Sequence, residues 1–390
     1  MKIPSRLRAL AVVALSFVAV ESQLHRAFQP SGREAAELVA EERATLQDVP
    51  REQAARDALR AQNPEWDLMR RMFVSLTLAN ELALHPERKD VAIDLDGLAD
   101  GLLADDARTG AWGFLLPYAR SKPFHRVEAD GPRSLFVDGE IALVLAAREL
   151  THEVTPSARA ALDLRVSRIE RAMRESPTRS GESYPDEAWT FCNTTALAAL
   201  ALYDTARGTD HRADADAWIG YAKAHLVDPS SGLLVSSYHL DGRFLDRAEG
   251  SSIFMAAHAL LLWDREFATA QWSRAKELLV FDVAGFTLAR EWPRSHDGMT
   301  DVDSGPVIPL LDASPGASGL AVIGASAFGD DAARDGLVAS LRFAAFPRKT
   351  SAGLTFAGAG PMGNAVVAYA LSFGPLWERA DRNDLRRASR

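Results

Sequence analysis

Paired helices of contrasting polarity are the feature that most constrains the fold of this chain. In each pair the first helix is apolar on nearly all sides, as in FCNTTALAALALY (191–203) and IFMAAHALLLW (253–263). The second helix carries a charged stripe, as in HRADADAWIGYAKAHL (211–226). A helix that is apolar all round is buried, and one with a polar stripe faces water. The pattern therefore predicts an inner and an outer ring of helices.

Five such pairs follow one another along the chain. The spacing predicts them at about 63–85 with 87–105, 134–151 with 156–175, 188–206 with 211–227, 251–263 with 266–279, and 319–328 with 331–346. An apolar helix at 361–373 remains unpaired, and helices predicted within 32–62 can complete a sixth pair. Six hairpins make an all-α (α/α)6 toroid, a six-hairpin barrel with a central cavity. An open solenoid is the competing geometry, but the repeats are too irregular in length for a clean period.

Loop lengths indicate where function lies. Connections from an inner to an outer helix are short, whereas the return connections 106–133, 176–187, 228–250, 282–304 and 347–360 are long. Long loops in a compact domain are usually functional, and these five are expected on one rim, above the N-termini of the inner helices. The predicted organisation is a leader or anchor at 1–22, a helical segment at 23–62, the toroid at 63–378 and a polar tail at 379–390.

The N-terminus has the layout of a signal peptide. Lys2, Arg6 and Arg8 precede an uninterrupted apolar run over 9–20, and polar residues follow it. About 12 apolar residues are too few to span a bilayer comfortably. We expect either export to a periplasmic or extracellular location or anchoring at a membrane by the uncleaved segment. A buried N-terminal helix is the remaining alternative.

Charge and cysteine content exclude several functional classes. The net charge of −9 is spread along the chain and no basic cluster with interleaved aromatics occurs, so nucleic acid is not an expected partner. The single cysteine, Cys192, cannot form an internal disulfide, and without a second cysteine structural zinc is not expected. We predict no metal and no cofactor, a small apolar molecule as substrate, and no obstacle to a homo-oligomer.

Carboxylates, aromatics and the thiol cluster in the loops and first helical turns that the fold places on this rim. Such groups above an apolar cavity suit acid/base chemistry on a largely apolar substrate. The predicted catalytic residues are Glu140, Asp186 and Cys192. The predicted substrate-binding residues are Ser183, Tyr184, Trp189, Tyr238, Ser251, Arg290, Glu291, Asp301 and Asp303.

Several of these residues also have purely structural explanations. Glu140 is either a helix first-turn residue or a carboxyl group whose pKa is raised by burial. Cys192 is either a packed core thiol or a reactive one. Asp301 and Asp303 resemble a fragment of a calcium loop, but the remaining spacing is missing and capping of the next helix is the favoured explanation. Asp186 also suits the start of the helix that follows it.

The middle of the chain resembles the linalool dehydratase/isomerase family. The resemblance rests on YPDEAWTFCNTTALAALALYD and RGTDHRADADAWIGYAKAHLVDPSSGLLVSSYHLDG, and more loosely on NPEWDLMRRMF, SLFVDGEIAL and AREWPRSHDGMTDVDSGP. It implies an (α/α)6 fold and cofactor-free addition or removal of water at a tertiary allylic alcohol, with a shift of the double bond. Cys192 matches a catalytic cysteine of that family. Its second cysteine, its histidine and a catalytic tyrosine fall at Ser183, Glu140 and near Ser251, so the same reaction on the same substrate is not expected.

The predicted function is a lyase/isomerase that acts on a small, apolar, isoprenoid-like alcohol. Two alternatives stay open. One is a carbohydrate-active toroid enzyme in which Glu291 pairs with Asp301 or Asp303 as acid and base. The other is an exported barrel that binds an apolar metabolite without catalysis.

Overall fold

Fourteen α-helices form most of the part of the chain that the computed structural model describes, which comprises residues 10–13, 15–16, 20, 23–129, 131–294, 296, 301–302 and 304–382. Most of the leader segment and Asp303 lie outside the described residues. The helices are α1 Glu34–Gln47, α2 Val49–Gln62, α3 Pro64–Leu84, α4 Lys89–Thr109, α5 Leu135–Thr151, α6 Pro156–Glu175, α7 Thr190–Arg207, α8 Arg212–Tyr221, α9 Gly250–Leu260, α10 Arg265–Leu279, α11 Pro315–Ala327, α12 Asp331–Ala344, α13 Gly360–Ser372 and α14 Pro375–Ala380.

Six apolar helices close into a ring. Each of α3, α5, α7, α9, α11 and α13 packs against the next, and α13 packs back onto α3. Most of their residues are buried, as the absence of a polar stripe predicts. The striped helices α4, α6, α10 and α12 pack outside the ring on the preceding inner helix, and α8 lies beside α6. The (α/α)6 toroid is confirmed.

The N-terminal helices complete the sixth pair. Helix α1 packs on α13, and α2 leads back to α3 at the start of the ring. The Asp48 side chain accepts a hydrogen bond from the Arg51 amide and so caps α2. Helix α14 packs on α3 and α7 at the end of the ring where the inner helices finish, and the Leu376 amide donates to Asn80 Oδ1. The chain therefore covers the end of the ring away from the long loops.

The long return loops gather at the N-terminal end of the inner helices, as predicted, and they carry short antiparallel strands. These are β1 Val127–Glu128 with β2 Gly131–Pro132, β3 Ala188–Trp189 with β4 Ser237–Tyr238 and β5 Phe244–Asp246, β6 Val280–Val283 with β7 Phe286–Ala289, β8 Asp301–Val302 with β9 Gly305–Pro306, and β10 Pro347–Lys349 with β11 Leu354–Phe356. In the three-stranded sheet, Ala188 pairs with Tyr238 and Trp189 with Ser237, so this sheet joins two rim loops.

Most predicted helix boundaries agree with the structure to within a few residues. One difference is α11, which begins at Pro315 rather than at 319 because Ser314 caps it and accepts a hydrogen bond from the Ala317 amide. The predicted helix over 211–227 instead ends at Tyr221 and continues as one π-helical turn, Ala222–Leu226. Among the described residues, no helix combines the length and apolar character needed to cross a membrane.

Candidate active site

Four polar side chains converge at the rim end of three neighbouring inner helices. They are Glu65 in the first turn of α3, Glu140 in the second turn of α5, Cys192 in the first turn of α7, and Ser183 in the loop before α7. We call these four residues the acid cluster.

Glu65 reaches the cluster because of the way α3 begins. The Asn63 side chain accepts a hydrogen bond of 2.9 Å from the Glu65 amide, and Pro64 occupies the first helical position. Both features favour a helix start at this point. Sequence reasoning missed Glu65, although it lies in the NPEWD stretch that carries part of the family resemblance.

Glu140 is the most unusual group in the cluster. Its side chain is fully buried, and within the described part of the chain neither carboxyl oxygen has a hydrogen-bond partner. Burial raises the pKa of Glu140 well above its ordinary value, and repulsion from the charge of Glu65 raises that pKa further. Because the charged form is disfavoured, Glu140 keeps its proton to a higher pH than an exposed glutamate does.

Cys192 is brought to Glu140 by a close approach of α5 and α7. A Cβ atom on Gly139 would lie only 3.3 Å from the Cβ of Ala196, which is one turn after Cys192. Burial raises the pKa of the Cys192 thiol well above its ordinary value. The hydrogen bond with Ser183 opposes this change, whereas the negative charge of Glu65 reinforces it. The thiol is therefore protonated near neutral pH.

Ser183 is held in place by the loop around it. Its amide donates to the Glu187 carbonyl at 2.8 Å, and its carbonyl accepts from Ser134 Oγ at 2.6 Å. Its hydroxyl oxygen accepts from the Trp189 amide at 3.3 Å. The Asn193 side chain secures the start of this loop by accepting from the Gly181 amide at 2.9 Å. The hydroxyl is thus fixed beside the thiol.

Tyr184 and Trp189 border the cluster on its rim side. The Tyr184 hydroxyl accepts from the Leu116 amide at 3.1 Å, and its ring stacks on Tyr118 with 4.8 Å between centroids. The Trp189 indole N–H donates to Glu187 Oε2 at 3.4 Å. The contacts of Tyr184 join the loop before α7 to the loop after α4, whereas the Trp189 contact stays within the loop before α7. Their predicted contact with a substrate stays a prediction.

Asp186 does not join the acid cluster. It has a positive φ of 63° in the tight turn between Tyr184 and Glu187, so it is not the helix-start residue that the sequence allowed. One of its carboxyl oxygens lies 2.9 Å from His239 Nδ1. The side chain borders a separate cavity of about 530 Å³, which neither Cys192 nor Glu140 lines.

Tyr238 is close enough to Cys192 to interact with it electrostatically, but its hydrogen bond goes to a residue outside the acid cluster. It is fully buried, and its hydroxyl lies 2.7 Å from Ser180 Oγ, which also accepts from the Trp218 indole at 3.1 Å. Burial raises the pKa of Tyr238. These contacts give it a clear structural role in joining the rim loops to α8.

Glu291 ties the starts of two inner helices together. Its Oε1 accepts from the Ser251 hydroxyl at 2.5 Å and from the Ser251 amide at 3.1 Å, and its Oε2 accepts from Ser304 Oγ at 2.9 Å and Ser314 Oγ at 2.7 Å. Both oxygens are occupied by protein donors. Ser251 and Glu291 are therefore together, as part of a different group from the acid cluster.

Arg290 is engaged on the outer side of the same loop. Its Nε donates to Asp312 at 2.7 Å, and its guanidinium lies 3.8 Å from the centroid of the Phe281 ring. Asp301 lies in β8 rather than at a helix start, and Ser314 caps the next helix, so Asp301 is not its cap. Asp303 lies outside the described residues. Over the ranges described, no group of three His, Cys, Asp or Glu side chains is arranged to hold a metal ion.

His258 provides a contrast with the acid cluster. Its Nε2 lies 2.7 Å from the Tyr369 hydroxyl, and its ring stacks on Trp377 at 4.5 Å. Burial lowers the pKa of His258 to about 3. It is a neutral core histidine near the covered end of the ring, as its place among alanines predicts.

Comparison with known proteins gives one family, and two distant structural likenesses are described among the solved structures that match. The family model for linalool dehydratase/isomerase matches residues 166–360, which is half of the chain and includes Ser183 and Cys192. A GH76 alpha-mannanase from Bacteroides thetaiotaomicron is 11% identical, with 82% of this chain and 87% of that chain covered at a TM-score of 0.45. A GH76A alpha-1,6-mannanase from Salegentibacter is 16% identical, with 82% and 89% covered at a TM-score of 0.47. At these TM-scores the likenesses carry no argument about this chain.

Proposed function

Because the chain belongs to the linalool dehydratase/isomerase family, we propose that it is a cofactor-independent lyase/isomerase acting on a small apolar alcohol of the isoprenoid class. The observation that carries this proposal is Glu140. A fully buried carboxyl group without hydrogen-bond partners among the described residues costs stability, and groups with such perturbed pKa values cluster at functional sites.

A neutral carboxyl group in an apolar site is suited to general-acid catalysis. Glu140 donates its proton to the hydroxyl of the substrate, the carbon–oxygen bond breaks, and water leaves. A carboxylate at Glu65 then accepts a proton from the neighbouring carbon, and the electrons of that carbon–hydrogen bond form the new double bond. Transfer of the proton from Glu65 back to Glu140 restores the starting state. The reverse sequence adds water.

Cys192 has a different role in this scheme from that of a thiolate nucleophile. Its raised pKa keeps the thiol protonated, and only the thiolate is a strong nucleophile or base. The thiol and the Ser183 hydroxyl instead form a weakly polar wall beside the reacting carbons. Their compact side chains leave room for an apolar substrate next to Glu140.

The test is turnover of isoprenoid alcohols by the full chain, with alkene and isomer products separated by gas chromatography. Glu140→Gln removes the acidic proton and keeps the shape, so we expect the rate to fall about 100-fold or more. Cys192→Ala should lower the rate less than Glu140→Gln does. Undiminished turnover in both variants would remove these residues from the mechanism.

A matched control is Glu277→Gln, which changes an exposed carboxylate on α10 in the same chemical way. Its rate should equal that of the unchanged chain. The non-catalytic binding alternative predicts a different result. The unchanged chain would then turn over none of the isoprenoid alcohols tested, and native mass spectrometry would detect an apolar ligand that co-purifies with it.

The carbohydrate alternative has weaker support. It assigns Glu291 as one of two catalytic carboxyl groups, yet both Glu291 oxygens accept hydrogen bonds from serine groups of the protein. The four donor groups on its two oxygens come from three serines of the protein, so the contacts of Glu291 link the starts of two inner helices. Hydrolysis of mannosides that is abolished by Glu291→Gln and unaffected by Glu140→Gln would favour this alternative.

A further inference from the structure

Large apolar side chains are exposed at the rim of the ring, in the sector around α11 and α12. Leu310 is 99% exposed in the loop that leads into α11, and Phe346 is 67% exposed just after α12. We define the rim patch as these two residues together with Val283, Ile308, Leu311 and Phe343, all of which are at least 39% exposed. Exposed apolar groups that gather in this way mark an interaction surface more often than isolated ones do.

All six residues lie at the same end of the molecule. Residues 308–311 precede the start of an inner helix, and Phe343 and Phe346 stand at the end of the neighbouring outer helix. Inner helices begin, and outer helices end, at the rim that carries the acid cluster. The patch is therefore on the open side of the ring and not on the side that α14 covers.

The N-terminal segment is attached at the same place. His25 packs edge-on against Phe286 at 6.2 Å, and Phe28 packs against Phe343 at 5.3 Å. Val20, the last residue of the apolar run, precedes His25 by only five positions, and five residues span at most about 18 Å. The apolar run is thus tethered next to the rim patch.

The described residues of the apolar run are themselves exposed. Leu10, Val12, Val13, Leu15 and Val20 are each between 63% and 69% exposed, and basic residues precede the run. A short apolar segment with flanking positive charge is suited to insertion into the boundary region of an anionic lipid bilayer without crossing it.

We propose that the rim patch and the apolar run together dock this chain on the surface of a lipid bilayer, with the mouth of the ring turned toward the lipid. The short connection between the apolar run and the rim patch favours lipid as the partner that covers the patch. Both apolar surfaces would then enter the same bilayer. This docking does not depend on the proposed function. If that function also holds, an apolar alcohol dissolved in the bilayer reaches the acid cluster without passing through water.

Site-specific fluorescence on the full chain tests the orientation. Cys192 is buried, so an environment-sensitive dye can be attached selectively to Leu310→Cys at the rim or, as the matched control, to Ile93→Cys at the opposite end. With vesicles of phosphatidylcholine containing a minority of phosphatidylglycerol, we expect a blue shift and a several-fold rise in emission for the dye at position 310. The dye at position 93 should not change.

Vesicle flotation supplies a second measurement. The triple variant Ile308→Ser, Leu310→Ser, Leu311→Ser should lower the fraction of bound protein about tenfold. The control pair Leu84→Ser, Ile93→Ser removes apolar groups of similar exposure from the covered end and should leave binding unchanged.

Three results would overturn the proposal. One is absence of binding to these vesicles, and another is binding with equal dye responses at positions 310 and 93. The third is a response at position 310 that depends on protein concentration without vesicles, which would identify a second copy of the chain as the occupant. No substrate enters these experiments, so their failure would leave the proposed function intact.

Discussion

Gly139 lies directly against Ala196, and a Cβ atom on the glycine would come within 3.3 Å of the alanine Cβ. The contact lets α5 and α7 approach closely. It also sets the register of the two helices, because Glu140 follows Gly139 directly and Cys192 lies one turn before Ala196. The acid cluster therefore depends on a small residue whose own side chain performs no chemistry.

Gly139→Val should push these helices apart. We expect a loss of about 1–3 kcal/mol in the free energy of unfolding, because added methyl groups have no space at this contact. Urea denaturation measures this change in the free energy of unfolding. Gly101→Ala on α4 is the matched control, since a Cβ there meets nothing within 4 Å, and it should be neutral or stabilising by about 0.5–1 kcal/mol. Equal stabilities for Gly139→Val and the unchanged chain would show that the contact is not tight.

The buried acid makes stability depend on pH in a predictable direction. The folded-state pKa of Glu140 is raised above its ordinary value of 4.5, so its neutral form is compatible with folding at low pH. As pH rises from that value toward the folded-state pKa, the unfolded chain releases the proton first and stability falls, by up to about 1.4 kcal/mol per pH unit.

Glu140→Gln should remove this part of the pH dependence. Urea denaturation between pH 5 and pH 8 compares the two chains, and the variant is expected to gain relative stability as pH increases. Parallel curves for the variant and the unchanged chain would mean that Glu140 is not a buried neutral acid.

Cys192 should be almost unreactive in the folded protein. Because burial keeps the thiol protonated, we expect negligible modification by a thiol-specific disulfide reagent at pH 8 and one modified thiol per chain after denaturation. Absorbance of the released thiolate measures both values. Rapid modification of the native protein would indicate an activated thiolate and a nucleophilic mechanism.

A buried ion pair beyond the active site should control stability near neutral pH. Asp204 accepts hydrogen bonds from Thr209 Oγ1 at 2.7 Å and from the His211 amide at 2.8 Å, and it also bonds the His211 ring. Burial is the largest single effect and opposes the charge on each partner, but the hydrogen bonds and charge attractions together outweigh it. The pKa of His211 is therefore raised and that of Asp204 is lowered.

The two shifts define a pH window for the Asp204 and His211 pair. The aspartate contribution is present above its ordinary pKa of 3.8 and is lost as pH falls through the folded-state value. The histidine contribution is present below its ordinary pKa of 6.5 and is lost as pH rises through the folded-state value. Asp204→Asn should cost about 2 kcal/mol within that window. The exposed control Asp210→Asn should cost under about 0.5 kcal/mol, and equal losses for the two would contradict this account.

The ring could be predicted from sequence because a helix that is buried on all sides has apolar residues at nearly every position. Helices such as 253–263 lack a polar stripe, and the return loops are visibly longer than the outward turns. Three of the four residues of the acid cluster could be predicted, and only Glu65 could not. Cys192 and Glu140 stand out against apolar neighbours, whereas Glu65 follows Asn63 and Pro64 and has the ordinary composition of a helix start. Asp186 was assigned wrongly to the helix that follows because its left-handed backbone conformation leaves no sequence signal.

The most direct test of the central claim is oxygen-18 exchange. A tertiary allylic alcohol of the isoprenoid class is incubated with the full chain in ¹⁸O-labelled water, with and without a metal chelator, and products are analysed by gas chromatography with mass spectrometry. The account predicts alkene formation and recovery of labelled alcohol, undiminished by the chelator and abolished in Glu140→Gln. Unlabelled alcohol throughout, or labelling that persists in Glu140→Gln, would contradict it.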